Sequence, residues 1–127
     1  MNVKLGKVRT LVPVNSTLGN RRILRFPNDL LVLANGSVIF TDSSRKFTRA
    51  QNRLEFFECR ANGELLYYNP SDNSYGVLRD GLFFPNGICL THDKHAVLIA
   101  ETTRARILRY ICNCMHSTVA KFNMLLL

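Results

Sequence analysis

Two carboxylates stand where they could take part in chemistry, at the ends of two apolar segments of similar order. Asp42 follows Val-Ile-Phe-Thr at residues 38–41 and precedes two serines, and Glu101 follows Val-Leu-Ile-Ala at residues 97–100 and precedes two threonines. A carboxylate can act as a general acid or base when burial shifts its pKa. At the end of a strand it more often caps a turn through backbone hydrogen bonds, and we favour that structural interpretation.

The hydroxyl and thiol side chains do not indicate a nucleophilic or zinc site. Ser43 and Ser44 have no nearby histidine suited to a triad, and the sequence lacks the Gly-x-Ser-x-Gly motif. Cys112, Cys114 and His116 could be metal ligands. Zinc sites, however, usually place two or more residues between paired cysteines and need a second pair. We therefore expect free, partly buried thiols, and the sequence leaves the catalytic residues unassigned.

The composition is that of a basic, globular domain. The chain has 127 residues, 46% of them hydrophobic, and 17 Lys and Arg against 9 Asp and Glu give a net charge of +8. The basic residues form three loose groups without interleaved aromatic residues, so we expect no nucleic-acid partner. No apolar run approaches the roughly 18 residues that span a bilayer, and residues 1–8 are too short and charged for a signal peptide.

An internal repeat is the most informative feature. Phe-Pro-Asn occurs at residues 26–28 and again at 84–86, an offset of 58 residues. An apolar segment that ends in an acid and two hydroxyl residues occurs at 38–44 and again at 97–103, an offset of 59. The one-residue difference falls in the connection between the two motifs, where turn lengths vary. The sequence therefore predicts two copies of one structural unit.

Each copy has the pattern of short strands separated by turns, with Asn35-Gly36 as the strongest turn signal. A short helix could form within residues 47–59, in the long connection of the first copy. The predicted strand at residues 7–12 would be the last strand of a preceding unit. The predicted strands cover residues 7–12, 30–33, 38–41, 63–69, 75–80, 88–91, 96–100 and 106–111.

Four-stranded units with this period are typical of β-propeller blades. The sequence thus predicts an all-β fold, a fragment of a propeller with one whole blade plus parts of two neighbours. Because a propeller closes with four to eight blades, we expect a piece of a longer protein that is inactive by itself. We assign residues 1–110 to the partial propeller and 111–127 to an atypical C-terminal tail, since the sequence departs from the pattern after Tyr110.

Several ordered motifs carry a family resemblance: Phe-Pro-Asn-Asp at residues 26–29, Gly-Glu-Leu-Leu-Tyr-Tyr at 63–68 and, most sharply, residues 82–88 and 97–107. Together they resemble the strictosidine-synthase-like family, in particular its animal branch of adipocyte plasma membrane-associated protein and hemomucin. The resemblance runs from about residue 6 to residue 110. It implies a six-bladed β-propeller similar to the paraoxonase and gluconolactonase enzymes.

The resemblance also implies a calcium site. In the metal-dependent relatives, asparagines in the matching Pro-Asn-Asp and Pro-Asn-Gly positions reach the central channel and bind calcium, which makes Asn28 and Asn86 the candidate metal ligands. An amide oxygen is a hard, neutral donor of the kind that calcium accepts. The alternative makes both motifs tight turns that lead into a strand, with each asparagine bonded to its own backbone and Gly87 at a positive φ. For the whole protein we favour ligation.

The resemblance implies a parent protein that hydrolyses a small ester or lactone substrate, with calcium polarising a carbonyl or phosphoryl oxygen. Residues 45–62 would lie over the blade face and shape access to the substrate site. A second interpretation is a non-catalytic interaction module at a membrane or cell surface. A third, a strictosidine synthase-type lyase, is disfavoured by Asn86, which that enzyme lacks.

The expected location follows only from the resemblance. Such proteins belong to the secretory pathway, the endoplasmic reticulum or the plasma membrane, and membrane association would use an amino-terminal segment that this chain does not contain. Asn15 and Asn35 each begin an Asn-x-Ser/Thr sequon and are candidate glycosylation sites in those compartments.

Overall fold

The structure, a computed structural model, describes residues 6–18 and 22–111 and is built mainly of antiparallel strands. Short 3₁₀ turns at Arg49–Gln51 and Thr102–Arg104 and one helix, α1 at Asn52–Glu58, are the other regular elements of these residues. The strands are β1 Thr17–Leu18, β2 Arg22–Ile23, β3 Pro27–Val32, β4 Val38–Asp42, β5 Gly63–Asn69, β6 Ser74–Leu82, β7 Pro85–Leu90, β8 Ala96–Glu101 and β9 Arg106–Ile111.

The strands form two consecutive blades that follow the predicted repeat. The first blade is the four-stranded sheet β3-β4-β5-β6, the second blade is the three-stranded sheet β7-β8-β9, and β1 pairs with β2. The innermost strands begin at Pro27 and Pro85, and the next strands end at Asp42 and Glu101. These positions reproduce both sequence offsets, which confirms the all-β propeller fragment and the two-copy organisation.

The turn between β3 and β4 shows how local sequence sets the register of a blade. Gly36 has a φ of 83°, which a residue without Cβ adopts readily, and its N–H donates to the Leu33 carbonyl. The Asn35 side chain accepts a hydrogen bond from the Ser37 N–H at 3.0 Å. The strands on both sides then pair from Val32 with Val38 inward to Pro27 with Asp42.

The main apolar core lies between the two blades. Ile39 and Leu65 from one face of the first blade pack with Ile99 and Leu108 from the second blade, and all four are at most 2% exposed. Burial of such side chains contributes roughly 1.5–3 kcal/mol each, so this interface supplies much of the driving force for folding. A second core lies on the opposite face of the first blade, where Leu24 covers Phe40, Leu66 and Tyr68.

The predicted strand at residues 7–12 is wrong, whereas the helix expected within residues 47–59 is present as α1. Residues 7–12 include β-branched and apolar side chains but contain no strand, and the segment contributes Val12 to the second core through its side chain. Pro13 lacks an N–H, and Asn15 has a φ of 68°, so the backbone turns here and does not extend along a sheet. The turned segment instead bonds through Asn15 N and Ser16 O to Leu24.

The described residues bear on two further expectations, the lack of a membrane-spanning segment and the separate C-terminal tail. Within residues 6–18 and 22–111, no helix is both long enough and apolar enough to cross a bilayer. The tail assigned to residues 111–127, with Cys112, Cys114 and His116, lies outside the described residues except for Ile111, so the division at residue 110 stays a prediction.

Candidate functional site

Asn28 and Asn86 occupy equivalent positions at the starts of the innermost strands. In each blade the pairing of the two inner strands is irregular at this point, between Pro27 and Leu30 in the first blade and between Pro85 and Ile88 in the second. Strands β3 and β7 also contact each other across the blade interface. The structure therefore brings both predicted residues to one edge of the molecule, where each is half-buried.

The buried hydroxyl of Ser43 connects the two asparagine positions. Asn28 Nδ2 donates to Ser43 Oγ at 2.9 Å, and Ser43 Oγ donates to the carbonyl of Pro85 at 2.6 Å. Ser43 is fully buried, so this geometry is shielded from competing water. Because Ser43 takes the amide NH₂ of Asn28, the carbonyl oxygen of that amide is the atom left for a cation. Sequence reasoning considered Ser43 only as a nucleophile and missed this positioning role.

Further side chains of the first blade hold the backbone around Asn86. Thr41 Oγ1 donates to the Asn86 carbonyl at 3.0 Å, and Asp29 Oδ2 accepts the Ile88 N–H at 2.9 Å. The Asp29 N–H in turn bonds to Thr41 Oγ1 at 3.1 Å. The second asparagine is thus positioned by polar groups of the neighbouring blade as well as by its own strand.

Gly63 permits the close approach of the two blades beside this site. A Cβ atom built on Gly63 would lie 2.1 Å from Pro85 Cδ and 3.1 Å from the Asp42 carbonyl oxygen. No side chain could occupy that space without moving Pro85, the residue that precedes Asn86. The sequence contained no signal for this contact, because Gly63 and Pro85 are neighbours only in the folded chain.

The alternative interpretation of the two motifs as tight turns is not what the structure shows. Asn28 and Asn86 lie inside strands β3 and β7, and the Asn28 side chain bonds to Ser43 and not to its own backbone. Gly87 does not have a positive φ. The residue with left-handed backbone is Phe84, with a φ of 48°, directly before Pro85. Such strain in a bulky residue before proline persists only when the surroundings hold it in place.

The residues present suit a share of a calcium site. Among residues 6–18 and 22–111, no three His, Cys, Asp or Glu side chains cluster as a metal site would require. What these residues offer is two amide side chains of the hard, neutral type that calcium accepts, whereas the ion takes about six to eight oxygens. The chain fits the metal as a contributor of two ligands, and the assignment of Asn28 and Asn86 stays a prediction.

The carboxylates Asp42 and Glu101 cap the backbone in the way that the structural interpretation predicted. Asp42 Oδ1 accepts the Phe26 N–H at 2.6 Å, and Glu101 Oε1 accepts the Phe83 N–H at 2.7 Å. Asp42 also accepts the Arg25 N–H at 3.3 Å, so each carboxylate fixes the chain where it enters the Phe-Pro-Asn motif of its own blade. Burial, opposed by the N–H groups of Phe26 and Arg25 and aided by the carboxylate of Glu64, raises the pKa of Asp42 to about 6.

The connection at residues 45–62 contacts the start of the first innermost strand. Arg49 donates to the Pro27 carbonyl at 2.6 Å and lies over the Phe26 ring, 4.8 Å from its centroid. The Phe26 and Phe84 rings meet edge to face at 5.6 Å. The buried carboxylate of Glu55 in α1 accepts a hydrogen bond from Ser44 Oγ at 2.6 Å, which fastens the helix to the blade.

A groove of about 450 Å³ lies between this helix and the second blade. It is open to solvent at Phe57, which is 81% exposed. Its walls are aromatic with two polar side chains, so an apolar molecule with a polar end would suit it. The lining residues are Asn52, Arg53, Phe56, Phe57 and Phe84.

The two sequons lie on the surface. Asn35 is exposed at the tip of the β3–β4 hairpin, and Asn15 is exposed at the turn before β1. Exposure is what an oligosaccharide acceptor needs, and the glycosylation of Asn15 and Asn35 stays a prediction.

Comparison with known proteins gives one consistent result. The family profile described as Strictosidine synthase matches residues 28–114. An adipocyte plasma membrane-associated protein from Danio rerio is 41% identical over 110 residues, which cover 86% of this chain and 26% of the relative. A strictosidine synthase-like 13 protein from Arabidopsis thaliana is 40% identical over 85 residues, 67% of this chain and 21% of the relative.

A structural comparison gives the same fold. A solved gluconolactonase-like structure superimposes with a TM-score of 0.60 at 18% sequence identity. The superimposed residues make up 84% of this chain and 36% of the chain of that structure. At that identity the likeness shows the fold alone. The chain spans about a quarter of the length of the curated relatives that it matches.

Proposed function

Because the chain belongs to the strictosidine synthase family, we propose that it is part of a calcium-dependent propeller hydrolase that acts on small esters or lactones. One observation carries the proposal: Asn28 and Asn86 stand at equivalent strand starts in adjoining blades, and Ser43 Oγ bonds both the Asn28 side chain and the carbonyl of Pro85, the residue before Asn86. An amide side chain and a neighbouring strand start that one buried hydroxyl holds together are suited to a common ligand. The remaining ligands, including carboxylates, would come from other blades of the whole protein.

The proposed chemistry assigns a separate task to each part of this chain. A calcium ion, when bound, supplies a Lewis acid for the substrate carbonyl or phosphoryl oxygen. Ser43 orients the Asn28 amide, and Thr41 and Asp29 hold the backbone at Asn86. Asp42 and Glu101 are occupied by backbone N–H groups, so we assign them to structure and not to proton transfer.

The aromatic groove beside α1 supports a small substrate with an apolar part. Phe84, which lies two residues before Asn86, forms one wall, and Phe56 and Phe57 form the other. A substrate whose acyl or aryl group occupied this groove would place its carbonyl near the edge where the asparagines lie. The resemblance of the fold to a gluconolactonase-like protein is compatible with an ester or lactone.

Calcium titration tests the metal assignment directly. The purified chain and its Asn28→Ala and Asn86→Ala variants would be titrated by calorimetry, with circular dichroism on the same samples. Asn35→Ala, at an exposed hairpin tip, is the matched control. We expect weak saturable binding in the wild type and the control and none in the two site variants.

A chimaera supplies the missing blades. The matching segment of the Danio rerio relative would be replaced by this chain, and calcium binding and aryl-ester turnover would be measured. We expect both to be lost in Asn86→Ala and kept in Asn35→Ala. Binding that survives both Asn28→Ala and Asn86→Ala would contradict the assignment.

A second candidate function is a non-catalytic interaction module associated with a membrane or cell surface. The specific observations are the exposure of Phe56 and Phe57, at 52% and 81%, and the name of the relatives, adipocyte plasma membrane-associated protein. Location in the secretory pathway or at the plasma membrane would follow. A chimaera that binds calcium without turning over any ester would favour this function over hydrolysis, and a product with a new carbon–nitrogen bond would favour a lyase.

A further inference from the structure

The helix α1 turns its polar side toward the blade and its aromatic side chains outward. Glu55 is the buried residue of the helix, and its carboxylate bonds to Ser44 Oγ and to the amide of Asn62. Phe56 and Phe57 are 52% and 81% exposed, and neither belongs to an apolar core of residues 6–18 and 22–111. Polar contacts therefore hold the helix in place and leave its aromatic side chains at the surface.

The neighbouring blade supplies a rigid second wall for the groove beside this helix. Phe84 is only 9% exposed, and its ring meets the Phe26 ring edge to face at 5.6 Å. Its φ of 48° is one that a bulky residue keeps only where the surroundings hold it. Both walls belong to this chain, one from each blade, so the groove lies at the junction of the two blades.

The charged residue in the lining of the groove is Arg53. The two carboxylates of α1 are engaged elsewhere, Glu55 inside the blade and Glu58 with Lys46 and Arg60. Within the described part of the chain, no carboxylate forms an ion pair with Arg53, and no Asp or Glu lines the groove. The guanidinium of Arg53 is therefore free to pair with a ligand.

An arginine beside aromatic walls favours an anion that carries an apolar body. A guanidinium presents its N–H donors in a planar fork that matches a carboxylate, and the amide of Asn52, which also lines the groove, offers a further donor. Aromatic rings bind the apolar part through burial of its surface. With no acid opposite Arg53, the same groove disfavours a ligand with a cationic end.

We propose that this groove binds a small amphipathic anion, an aromatic or alkyl body that ends in a carboxylate. Arg53 would pair with the carboxylate, and the phenylalanine side chains would enclose the body. The volume of about 450 Å³ lies in the range of ligand pockets and is ample for a bicyclic aromatic body. The inference deepens the proposed function by placing an anionic group on the apolar part of the substrate, and it rests on that function for the reaction but not for the binding.

A pair of fluorescent probes tests the requirement for an anion. Anilinonaphthalene sulfonate carries an oxyanion in place of the carboxylate, and phenylnaphthylamine has the same rings without the charge. The full chain would be titrated with each probe, and the increase in fluorescence followed to saturation. We expect saturable binding of both probes, about tenfold tighter for the sulfonate. Equal affinity for the two probes would overturn the proposal.

An Arg53→Gln variant tests the assigned cation. It should weaken the binding of the sulfonate by about tenfold and leave the affinity for phenylnaphthylamine unchanged. Arg60→Gln is the matched control, because Arg60 is an exposed arginine of the same connection and does not line the groove. An equal loss of sulfonate binding in both variants would show attraction to the overall positive charge and overturn the proposal.

A Phe57→Ala variant tests the aromatic wall. It should weaken both probes by about fivefold, since it removes apolar surface from the groove and leaves the charge in place. Tyr75→Ala, at a 37% exposed aromatic residue in β6, should leave both affinities unchanged. Probe binding that survives Phe57→Ala at full affinity would place the probes elsewhere and overturn the proposal.

Displacement of the bound sulfonate tests the carboxylate itself. Naphthoate and its neutral amide, naphthamide, have nearly the same shape and differ in charge. Naphthoate should displace the probe at about tenfold lower concentration than naphthamide, and the difference should vanish in Arg53→Gln. A wild type that does not distinguish the two compounds would contradict the proposal.

Vesicles separate a small anion from a lipid surface. The chain would be mixed with vesicles of phosphatidylcholine and phosphatidylserine and sedimented. We expect no sedimentation that depends on Phe57. Vesicle binding that both Arg53→Gln and Phe57→Ala abolish, together with no saturable binding of the soluble probes, would assign the groove to a membrane and overturn the proposal.

The calcium assignment and this inference can fail separately. Asn28→Ala and Asn86→Ala should leave the binding of both probes unchanged, because neither asparagine lines the groove. Calcium binding that survives in those variants would contradict the proposed function and leave the anion site in place. Probe binding that does not depend on Arg53 would overturn the anion site, whatever the calcium titration gives.

Discussion

Asp42 and Glu101 hold equivalent places in the two blades and bind backbone N–H groups in the same way. They differ in the charge of the residue that lies beside each carboxylate. Both are at most 1% exposed, and both accept the N–H of the residue before the Phe-Pro-Asn motif, Arg25 for Asp42 and Phe83 for Glu101. The residue paired with Asp42 across the next strand is Glu64, whereas the residue paired with Glu101 is Arg106. Arg106 forms an ion pair with Glu101.

The comparison shows which part of the repeat folding requires. The capping carboxylate is kept in both blades, because it satisfies N–H groups that would otherwise be buried without a partner. The counter-charge is not kept: Glu64 lies 3.6 Å from Arg45 Nε, and Asp42 has an acidic neighbour in place of an arginine. The hydrogen bonds to the backbone are therefore what the two carboxylates share, whereas the charged residues around them differ from one blade to the other.

Removing Arg106 should have the largest effect, because it takes away the cation that distinguishes the second blade from the first. Arg106→Gln leaves the carboxylate of Glu101 buried without its cation, which costs about 4 kcal/mol in the free energy of unfolding. Urea denaturation of the chain at low protein concentration measures it. Arg53→Gln, at an exposed helix position, should change the same free energy by less than about 0.5 kcal/mol.

The pH dependence of stability should report Asp42. Its pKa of about 6 in the folded chain lies above the unfolded value of 3.8, so the folded state binds this proton more tightly. The free energy of unfolding should therefore fall as the pH rises from about 4 to about 6, by roughly 3 kcal/mol, and change no further from this group above that window.

An Asp42→Asn variant tests that assignment. It should lose this fall in stability, because an amide does not titrate, and Asp72→Asn in an exposed turn should keep it. Urea denaturation at several pH values between about 4 and 7 gives the comparison. An unchanged slope in Asp42→Asn would show that another group titrates.

The smallest difference should appear between Ile88 in β7 and Leu30 in β3, which are equivalent by the 58-residue offset. Ile88→Ala removes side-chain atoms that are packed against the first blade and should cost about 1.5 kcal/mol in the free energy of unfolding. Leu30→Ala changes a residue that is 60% exposed and should cost about 0.5 kcal/mol or less in the same free energy. Equal costs would mean that the two faces are equally covered.

Most strands could be predicted from sequence because their signals are local. The apolar segments with β-branched residues, the Asn35-Gly36 turn and the repeated Phe-Pro-Asn motif placed β4, β5, β8 and β9 within one residue of their observed ends. The segment at residues 7–12 also contains β-branched and apolar residues and still forms no strand. A strand needs a partner for its backbone groups, and residue type by itself does not supply one.

The candidate site was predictable in its residues but not in its support. Asn28 and Asn86 could be singled out because the motif repeats and resembles a known pattern. Ser43, Thr41 and Gly63 could not, since their roles depend on a hydrogen bond or a close approach between blades. Each of these contacts joins residues more than 20 positions apart in sequence.

The sequence by itself determined the repeat, the alternation that gives each blade two apolar faces, and the family that its motifs resemble. Those features follow from residue type and period, which act within a few positions along the chain. Only the tertiary structure decided which faces are covered, how Ser43 connects Asn28 to the strand of Asn86, and why Asp42 and Glu101 differ in charge balance. These depend on distances between separate strands, which packing sets and local sequence does not encode.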